Sequence, residues 1–403
     1  MNGTALLKGI RVVEFSHMVM GPSCGLVLAD LGADVIKVEP AGRGDNTRRL
    51  AGSGAGFFAS FNRNKRSIAV DLKSERGRAL ASRLISTADV MTENFRPGAL
   101  EALGFGYESL AATNPRLIHC SLKGFLSGPY ENRAALDEVV QMLAGLAYMT
   151  GPPGKPLRAG ASVNDIMGGM FAVIGILAAL NERNATGKGR SIKAGLFENC
   201  VYLMSTHMMQ FAVTGKPAAP MPQRLAAWAV YDVFDVADGS QVFVGVVSDT
   251  QWLAFCAAFG LGDLLEDPNL GSNRDRVLSR DRFMPRVRAM FADMPRAEVL
   301  SRCDEIGLPF APINRPEDMF ADPHLNHPGA MLPLTLPSSG EPARAPALPL
   351  EIDGERPGLY RDLPLAGEHS AEICRELGLS ETEVVALLAD GLITTEAAQH
   401  SEQ

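Results

Sequence analysis

Short apolar runs alternate with amphipathic stretches along the first half of the chain, and their order predicts its architecture. Ile10–Phe15 reads as a buried strand, followed by a turn at Gly21-Pro22, a helix through Leu31 and a second strand, Asp34 to Val38. A crossover of this kind implies parallel strands. The pattern repeats with Ser67–Asp71 as strand, Ser74–Ser86 as helix, and Asp89–Thr92 and Leu117–Ser121 as further strands. Alternation of this sort predicts an α/β fold with a doubly wound layer. Ile166–Leu180 follows as fifteen uncharged, mostly apolar residues with three glycines and three alanines, the composition of a tightly packed, buried helix.

After a turn at Thr186-Gly187-Lys188-Gly189, Ser191–Ala194 resumes an extended segment and Glu198–Val213 forms a Met-rich helix. Its methionines read as core filler. Gly215–Pro222, with three prolines, marks a linker. Beyond it, Val230–Val236 and Gln241–Val247 flank Asp238-Gly239, a strong hairpin signal. Helical patterns then run to about Ile306, so this α+β segment predicts a separate, smaller domain. Leu332–Pro364 is proline-rich and reads as a crossing back over the surface. Helices at Ser370–Leu377 and Glu381–Ala389 close the chain, with a frayed polar tail from Thr394.

Composition narrows the class. The 403 residues are 46% hydrophobic and 21% charged, as in an ordinary globular protein. A net charge of −8 argues against nucleic acid as a partner. The six cysteines are scattered with no C-x-x-C pair, which points to free thiols in a reducing compartment. The first residues carry no signal-peptide pattern, and the Ile166–Leu180 run is shorter than the roughly 20 residues of a bilayer span. The expectation is a cytoplasmic protein with no membrane partner.

Asp165 is the most informative residue. It stands at the mouth of the apolar helix, where the helix dipole and free N–H groups favour the ionised carboxylate. Two readings remain open locally: a helix cap, or a poorly solvated carboxylate suited to act as a nucleophile. A second set, Arg43, Arg48, Arg63, Lys65, Arg66, Lys73, Asn94, Arg96 and Lys123, falls on or near loops after strands, where α/β sheets bind ligands. A phosphate-bearing cofactor and a solvated basic rim explain this set equally well. The loop after the first strand, His17-Met18-Val19-Met20-Gly21-Pro22, is not a G-x-G-x-x-G turn, and no P-loop is present. His324 and His327 lie in a proline-flanked loop with no third ligand, so no metal site is expected. There is no G-x-S-x-G elbow. Glu368-His369 reads as a docking element for a helix.

Together these segments resemble the class III CoA-transferases, the family of formyl-CoA:oxalate and carnitine CoA-transferases. The carriers are Gly9-Ile10-Arg11-Val12-Val13-Glu14, Leu31-Gly32-Ala33-Asp34-Val35-Ile36-Lys37-Val38-Glu39, Asn64-Lys65-Arg66-Ser67-Ile68, Glu93-Asn94-Phe95-Arg96-Pro97-Gly98 and Ser121-Leu122-Lys123-Gly124-Phe125. They continue with Asp165 and Gly175-Ile176-Leu177-Ala178-Ala179-Leu180, Thr186-Gly187-Lys188-Gly189 and Gly367-Glu368-His369, so the match spans nearly the whole chain. The resemblance implies a Rossmann-like large domain built from both chain ends, residues 1–220 and 331–403, with a small domain at 221–330 and an interlocked homodimer. It implies Asp165 as the nucleophile, forming first a mixed anhydride and then an aspartyl-CoA thioester. CoA contacts would come from Val70, Asp71, Leu72, Lys73, Asn94, Phe95 and Arg96. His17, Val19 and Arg43 would border the acyl group, and Gly168-Gly169 are proposed to offer oxyanion-binding N–H groups. Acyl-CoA is then a substrate, with no tightly bound cofactor, and a small carboxylic acid is the second substrate.

This chain departs from the family pattern at Ala102 and Ala134, where basic residues touch CoA, and at Val19, where formyl-CoA:oxalate enzymes carry glutamine. Oxalate is therefore disfavoured. Arg43, Arg48 or Arg158 could clasp a distal carboxylate, which suggests a dicarboxylate such as succinate, mesaconate, malate or glutarate. The α-methylacyl-CoA racemases of the same superfamily need an acid/base partner where this chain has Leu136, which argues against that activity. A noncatalytic CoA-binding protein and a Rossmann-type oxidoreductase are the remaining alternatives.

Overall fold

The computed structural model describes residues 5–224 and 226–396. The chain forms two compact units, one from residues up to Pro222 together with those from Asn326 onward, the other Gln223–Leu325. In the larger unit β1 (Arg11–Phe15), α1 (Met20–Asp30), β2 (Asp34–Pro40), β3 (Arg66–Val70), α2 (Glu75–Ser86), β4 (Val90–Glu93) and β5 (Ile118–Lys123) follow one another. Next come α3 (Asp137–Leu143), α4 (Val163–Thr186), β6 (Ser191–Gly195) and α5 (Leu196–Thr214). With β12 (Ile393–Thr394) from the far end of the chain, the sheet order is β12-β3-β2-β1-β4-β5-β6, and β1 to β6 pair in parallel. Strands covered on both faces are rich in apolar residues, and the pairs Val12-Val13, Val35-Ile36, Ile68-Ala69 and Val90-Met91 make β1, β2, β3 and β4 visible in the sequence although buried polar residues such as Glu14, Lys37 and Glu39 interrupt them. One apolar cluster, including Val13, Ile36, Ile68 and Met91, fills one face; Val12, Val35, Val90 and Ile118 join α1 and α4 on the other.

Several elements differ from the sequence reading. Gly21 and Pro22 lie inside the first turn of α1, not in a separate turn; proline is tolerated there because its missing N–H has no partner to lose. Helix α4 is buried on one side only. Gly168, Gly169, Ala172, Val173 and Ile176 pack inward, while Met170, Phe171, Ile174 and Leu177 are exposed. In α5, Met204 is buried but Met208 and Met209 are exposed, so the methionines there are not all core filler. At 24 residues α4 is long and apolar enough to cross a membrane by length and composition. Its buried stripe packs on α1, and its buried Arg183 pairs with Asp89 at 2.9 Å, as in a core helix.

The glycines of that stripe set the approach of the two helices. A Cβ on Gly169 would lie 2.1 Å from Ser23 Oγ and 2.9 Å from the Met20 carbonyl oxygen. One on Gly168 would lie 2.6 Å from Met20 Cε. Only bare backbone fits there.

The smaller unit holds the antiparallel sheet β7 (Tyr231–Asp235), β8 (Gln241–Gly245) and β9 (Phe310–Pro312), with the hairpin at Asp238-Gly239 as its sequence indicates. The proline-rich return contains a hairpin that the sequence did not reveal, β10 (Met331–Thr335) with β11 (Pro342–Pro346). Helices α6 (Ser370–Glu376) and α7 (Glu381–Ala389) follow. Thr394 is not frayed: β12 (Ile393–Thr394) pairs antiparallel with the outer edge of β3. The tail from residue 397 lies outside the described residues. Gly367-Glu368-His369 docks this return: the Gly367 N–H donates to Ser67 Oγ (2.8 Å), and the His369 N–H donates to the Ser67 carbonyl (3.0 Å).

Candidate active site

The order in which strands are added reverses between β1 and β4, which are parallel neighbours in the sheet. From β1 the chain proceeds to β2 and β3 on one side; β4 opens the other side with β5 and β6. Ligands in such sheets bind in the crevice at the carboxyl ends of the two strands where this happens. Here those ends carry His17 and Asn94-Phe95. The Asn94 amide bonds the backbone of His17 in both directions, accepting from its N–H (3.0 Å) and donating to its carbonyl (2.8 Å). The His17 ring lies 5.6 Å from that of Phe95. Lys37 Nζ donates to the Ser16 carbonyl (2.7 Å), and Thr47 Oγ1 accepts the Met18 N–H (3.0 Å). Met18 itself has φ +63, a strained conformation held by those bonds. The loop from Ser16 to Val19 is thus rigid before any ligand arrives.

The basic set divides sharply. Arg48 grips Glu39 through two bonds (2.8 and 2.6 Å) and its guanidinium lies 3.8 Å from the Phe58 ring centroid, so it is not free to hold a substrate carboxylate. Arg63 pairs with Asp30, Lys65 with Glu14, Arg66 with Asp34, Glu372 and Glu376, and Lys123 with Glu93. Arg43, Lys73 and Arg96 are exposed after β2, β3 and β4, with no ion-pair partner among the described residues. The three free cations therefore line one edge of the sheet, where anionic groups can be met. Phe95 and Leu72 are half-buried, whereas Val70 is buried inside β3 and Val19 is buried at the start of α1. Asp71 accepts the Lys73 N–H at 3.0 Å, shaping the turn that presents Lys73.

Asp165 is the third residue of α4, after Ser162 at the N-cap position. Its carboxylate does not cap the helix. Asp137 Oδ1, at the start of α3, accepts the N–H groups of Asn164 (2.8 Å) and Asp165 (3.2 Å). The Asp165 side chain makes no hydrogen bond among the described residues. Nor is it held ionised. Burial, and then the negative charges of Asp137 and Glu138, push its carboxyl up to about 7, with Arg158 pulling the other way. Gly168 and Gly169 are inner positions of α4, where the helix ladder consumes their N–H groups. They serve the contact with α1 and are not oxyanion donors.

A half-buried, unbonded carboxyl titrating near neutrality at the start of a helix packed on α1 is suited to nucleophilic acyl transfer. The model of CoA-transferase family III matches residues 7–370. The chain belongs to CoA-transferase family III. This CoA-transferase is 34% identical over 389 residues to the succinate–glutarate CoA-transferase of Agrobacterium fabrum, covering 92% of this chain and 95% of that protein. It is 34% identical over 388 residues to the acetyl-CoA:oxalate CoA-transferase of Acetobacter aceti, covering 93% and 96%. A crystal structure of a CAIB/BAIF family protein from Brucella suis superposes with a TM-score of 0.81 at 35% identity, covering 92% of this chain and 99% of that one. Family membership sets aside the noncatalytic and oxidoreductase readings. Among the described residues of this CoA-transferase, no group of three or more His, Cys, Asp or Glu is placed to hold a metal ion.

Asp137 is the site residue that sequence reasoning missed. An acid at the start of a helix reads as serving its own helix, and nothing local announces that it caps another one 27 positions further on.

Proposed function

We propose that this CoA-transferase moves CoA from an acyl-CoA donor such as succinyl-CoA to a small dicarboxylic acid, through covalent intermediates on Asp165. The observation that carries this reading is the Asp165 carboxyl, left unbonded at a helix start whose N–H groups are satisfied by Asp137. The ionised carboxylate attacks the thioester carbonyl and expels CoA thiolate, giving a mixed anhydride. The thiolate then attacks the aspartyl carbonyl and releases the donor's acid, leaving an aspartyl-CoA thioester. The incoming carboxylate attacks that thioester and displaces the thiolate again. Attack of the thiolate on the acceptor's carbonyl forms the new acyl-CoA and frees Asp165. Each step exchanges one activated acyl bond for another, so no nucleotide hydrolysis is required.

Lys73, Arg96 and the half-buried Phe95 are the side chains best placed for CoA; Asn94 contributes by holding the His17 loop. For the acceptor's distal carboxylate the structure leaves Arg43, which is free, and Arg158, which acts on Asp165 and pairs with Glu138. The names of the two relatives cite glutarate and oxalate, both dicarboxylic acids, which supports that acceptor class. A second copy of the chain is the occupant proposed for the apolar face of Met170, Phe171, Ile174, Leu177, Tyr202 and Met208. Sedimentation should then give a dimer, and Ile174→Arg a weakened one; a wild-type monomer would overturn this.

Mass spectrometry tests the chemistry. After incubation with succinyl-CoA and trapping with hydroxylamine or borohydride, a modified peptide containing Asp165 is expected, absent in Asp165→Ala. No adduct from any of several acyl-CoAs, in folded protein, would sink the proposal. A panel of acceptors then fixes the acid, and turnover with monocarboxylates alone would remove the dicarboxylate assignment.

A further inference from the structure

We propose that Asp137 is the positioning residue of the nucleophile: its buried carboxylate fixes the first turn of α4 so that the Asp165 side chain is left without hydrogen bonds on a rigid backbone. This rests on the assignment of Asp165 above. An acid in the first turn of a helix ordinarily finds local donors, because the first N–H groups have no partners within the helix. At α4 those donors are taken. Ser162 makes no side-chain cap, and Asp137 Oδ1 reaches the N–H groups of Asn164 and Asp165 from another helix. The lone pairs of Asp165 therefore stay available for an incoming carbonyl carbon.

Helix α3 holds the approach to the nucleophile at two points. Asp137 and Gln141, four residues apart, share one face of α3. Gln141 Oε1 accepts the N–H of Ala159 at 2.8 Å, while its amide nitrogen donates to Asp137 Oδ2. The segment from Ala159 to Asp165 is thereby pinned at both ends. On the far side of the turn, the Asn199 amide donates to the Asn164 carbonyl at 2.9 Å. Apart from the Gln141–Asp137 bond, which joins two side chains, these bonds act on backbone, and none touches the Asp165 side chain.

The charge of Asp137 adds a second effect that a neutral cap would not have. Asp137 is 3% exposed, and its nearest cation, Arg158, stands 3.9 Å away. A helix can be capped by serine or asparagine without burying a charge. A negative charge beside Asp165 makes that carboxylate more basic and a stronger nucleophile once ionised. The charged groups acting on Asp165 are Asp137 and Glu138 from α3 and Arg158 from the segment before α4. Helix α1 presents Met20, Ser23 and Cys24 at Gly168 and Gly169, and α5 presents the uncharged Asn199 and Cys200 beside Asn164.

The test is single-turnover acylation of Asp165 by succinyl-CoA, quenched and read by mass spectrometry between about pH 5.5 and 9, for wild type, Asp137→Asn and Asp137→Ala. Steady-state kcat and KM and melting curves accompany it. Asp137→Asn retains an acceptor oxygen and loses the charge, so its pH–rate midpoint should move down by about one pH unit. Asp137→Ala also loses the cap, and its kcat should fall on the order of 10²-fold, the scale of a misplaced reacting group, with KM nearly unchanged. Should the alanine variant not fold, the asparagine variant decides the matter. A folded Asp137→Ala with wild-type kcat, or a folded Asp137→Asn with wild-type midpoint and kcat, each changed only in melting temperature, would overturn the proposal. If wild-type protein is not labelled at Asp165, the nucleophile assignment itself fails.

Discussion

Asp165→Asn abolishes CoA transfer and at the same time stabilises the folded protein above neutral pH. The activity loss follows from removing the proposed nucleophile: the amide cannot form the proposed anhydride, and a fall of at least about 10⁴-fold in kcat is expected. The stability gain follows from linkage. The Asp165 carboxyl sits near 7 in the fold, against an ordinary value of 3.8, because burial and the neighbouring acids disfavour its charge. The folded state therefore binds this proton more tightly than the unfolded chain does. Wild type loses stability as pH rises from about 4 to about 7, and the whole of that loss is present above 7. The asparagine variant has no charge to bury and loses none of it. A tenfold difference in proton affinity corresponds to about 1.4 kcal/mol, so the variant should exceed wild type by about 2–4 kcal/mol at pH 8 and match it near pH 4. Urea titrations at the two pH values check this. Equal stabilities at pH 8 would show that Asp165 is ionised at no cost in the fold. Coincident loss of function and gain of stability is the signature expected of a strained functional group.

Lys65→Met should be among the most damaging single substitutions outside the reaction centre. Lys65 Nζ is fully buried and donates to both oxygens of Glu14 (3.1 and 2.9 Å), to the Pro22 carbonyl (3.0 Å) and to Asn62 Oδ1 (3.2 Å). Glu14 lies against the bare backbone of α1, where a Cβ on Gly25 would fall 1.6 Å from Glu14 Oε2. Methionine replaces the lysine's apolar stem without the ammonium group and leaves the carboxylate with Ser16 and the more distant Lys37 (3.6 Å). Stranding one member of a buried ion pair costs about 3–5 kcal/mol. Adding Glu14→Gln should recover a large part of that loss, because the uncompensated charge disappears with it. Denaturant midpoints for the two single variants and the double variant give the coupling. Additive effects would show that Lys65 and Glu14 act independently.

The parallel strands were legible from their short apolar cores, such as Val12-Val13 and Val35-Ile36, and the helix of Asp165 from its long uncharged run. What escaped was written elsewhere in the chain. The strands β10 and β11 contain Pro333, Pro342 and Pro346, residues that argue against a strand unless it lies at an edge. A two-residue strand such as β12 has no pattern to read. The fates of Arg48, Arg63, Lys65 and Arg66 depended on acids brought beside them only by folding. That separated these residues from Arg43, Lys73 and Arg96, which look alike in the sequence. The cap on α4 escaped for the same reason, since Asp137 and Asp165 meet only when the layers assemble. The expected ionisation of Asp165 then reversed: the helix end favours its charge, but burial and two neighbouring acids outweigh that.

The seven-stranded sheet is completed by residues 393 and 394, and this imposes an order on the protein's synthesis. The outer edge of β3 emerges from the ribosome hundreds of residues before the strand that covers it. Until residue 393 has been made, the nascent chain carries an open sheet edge, the kind of surface that pairs with strands of other chains. Only after the last strand is released can that edge close, so a chain stalled or cut short before Ile393 is left with a sticky border beside an otherwise complete sheet.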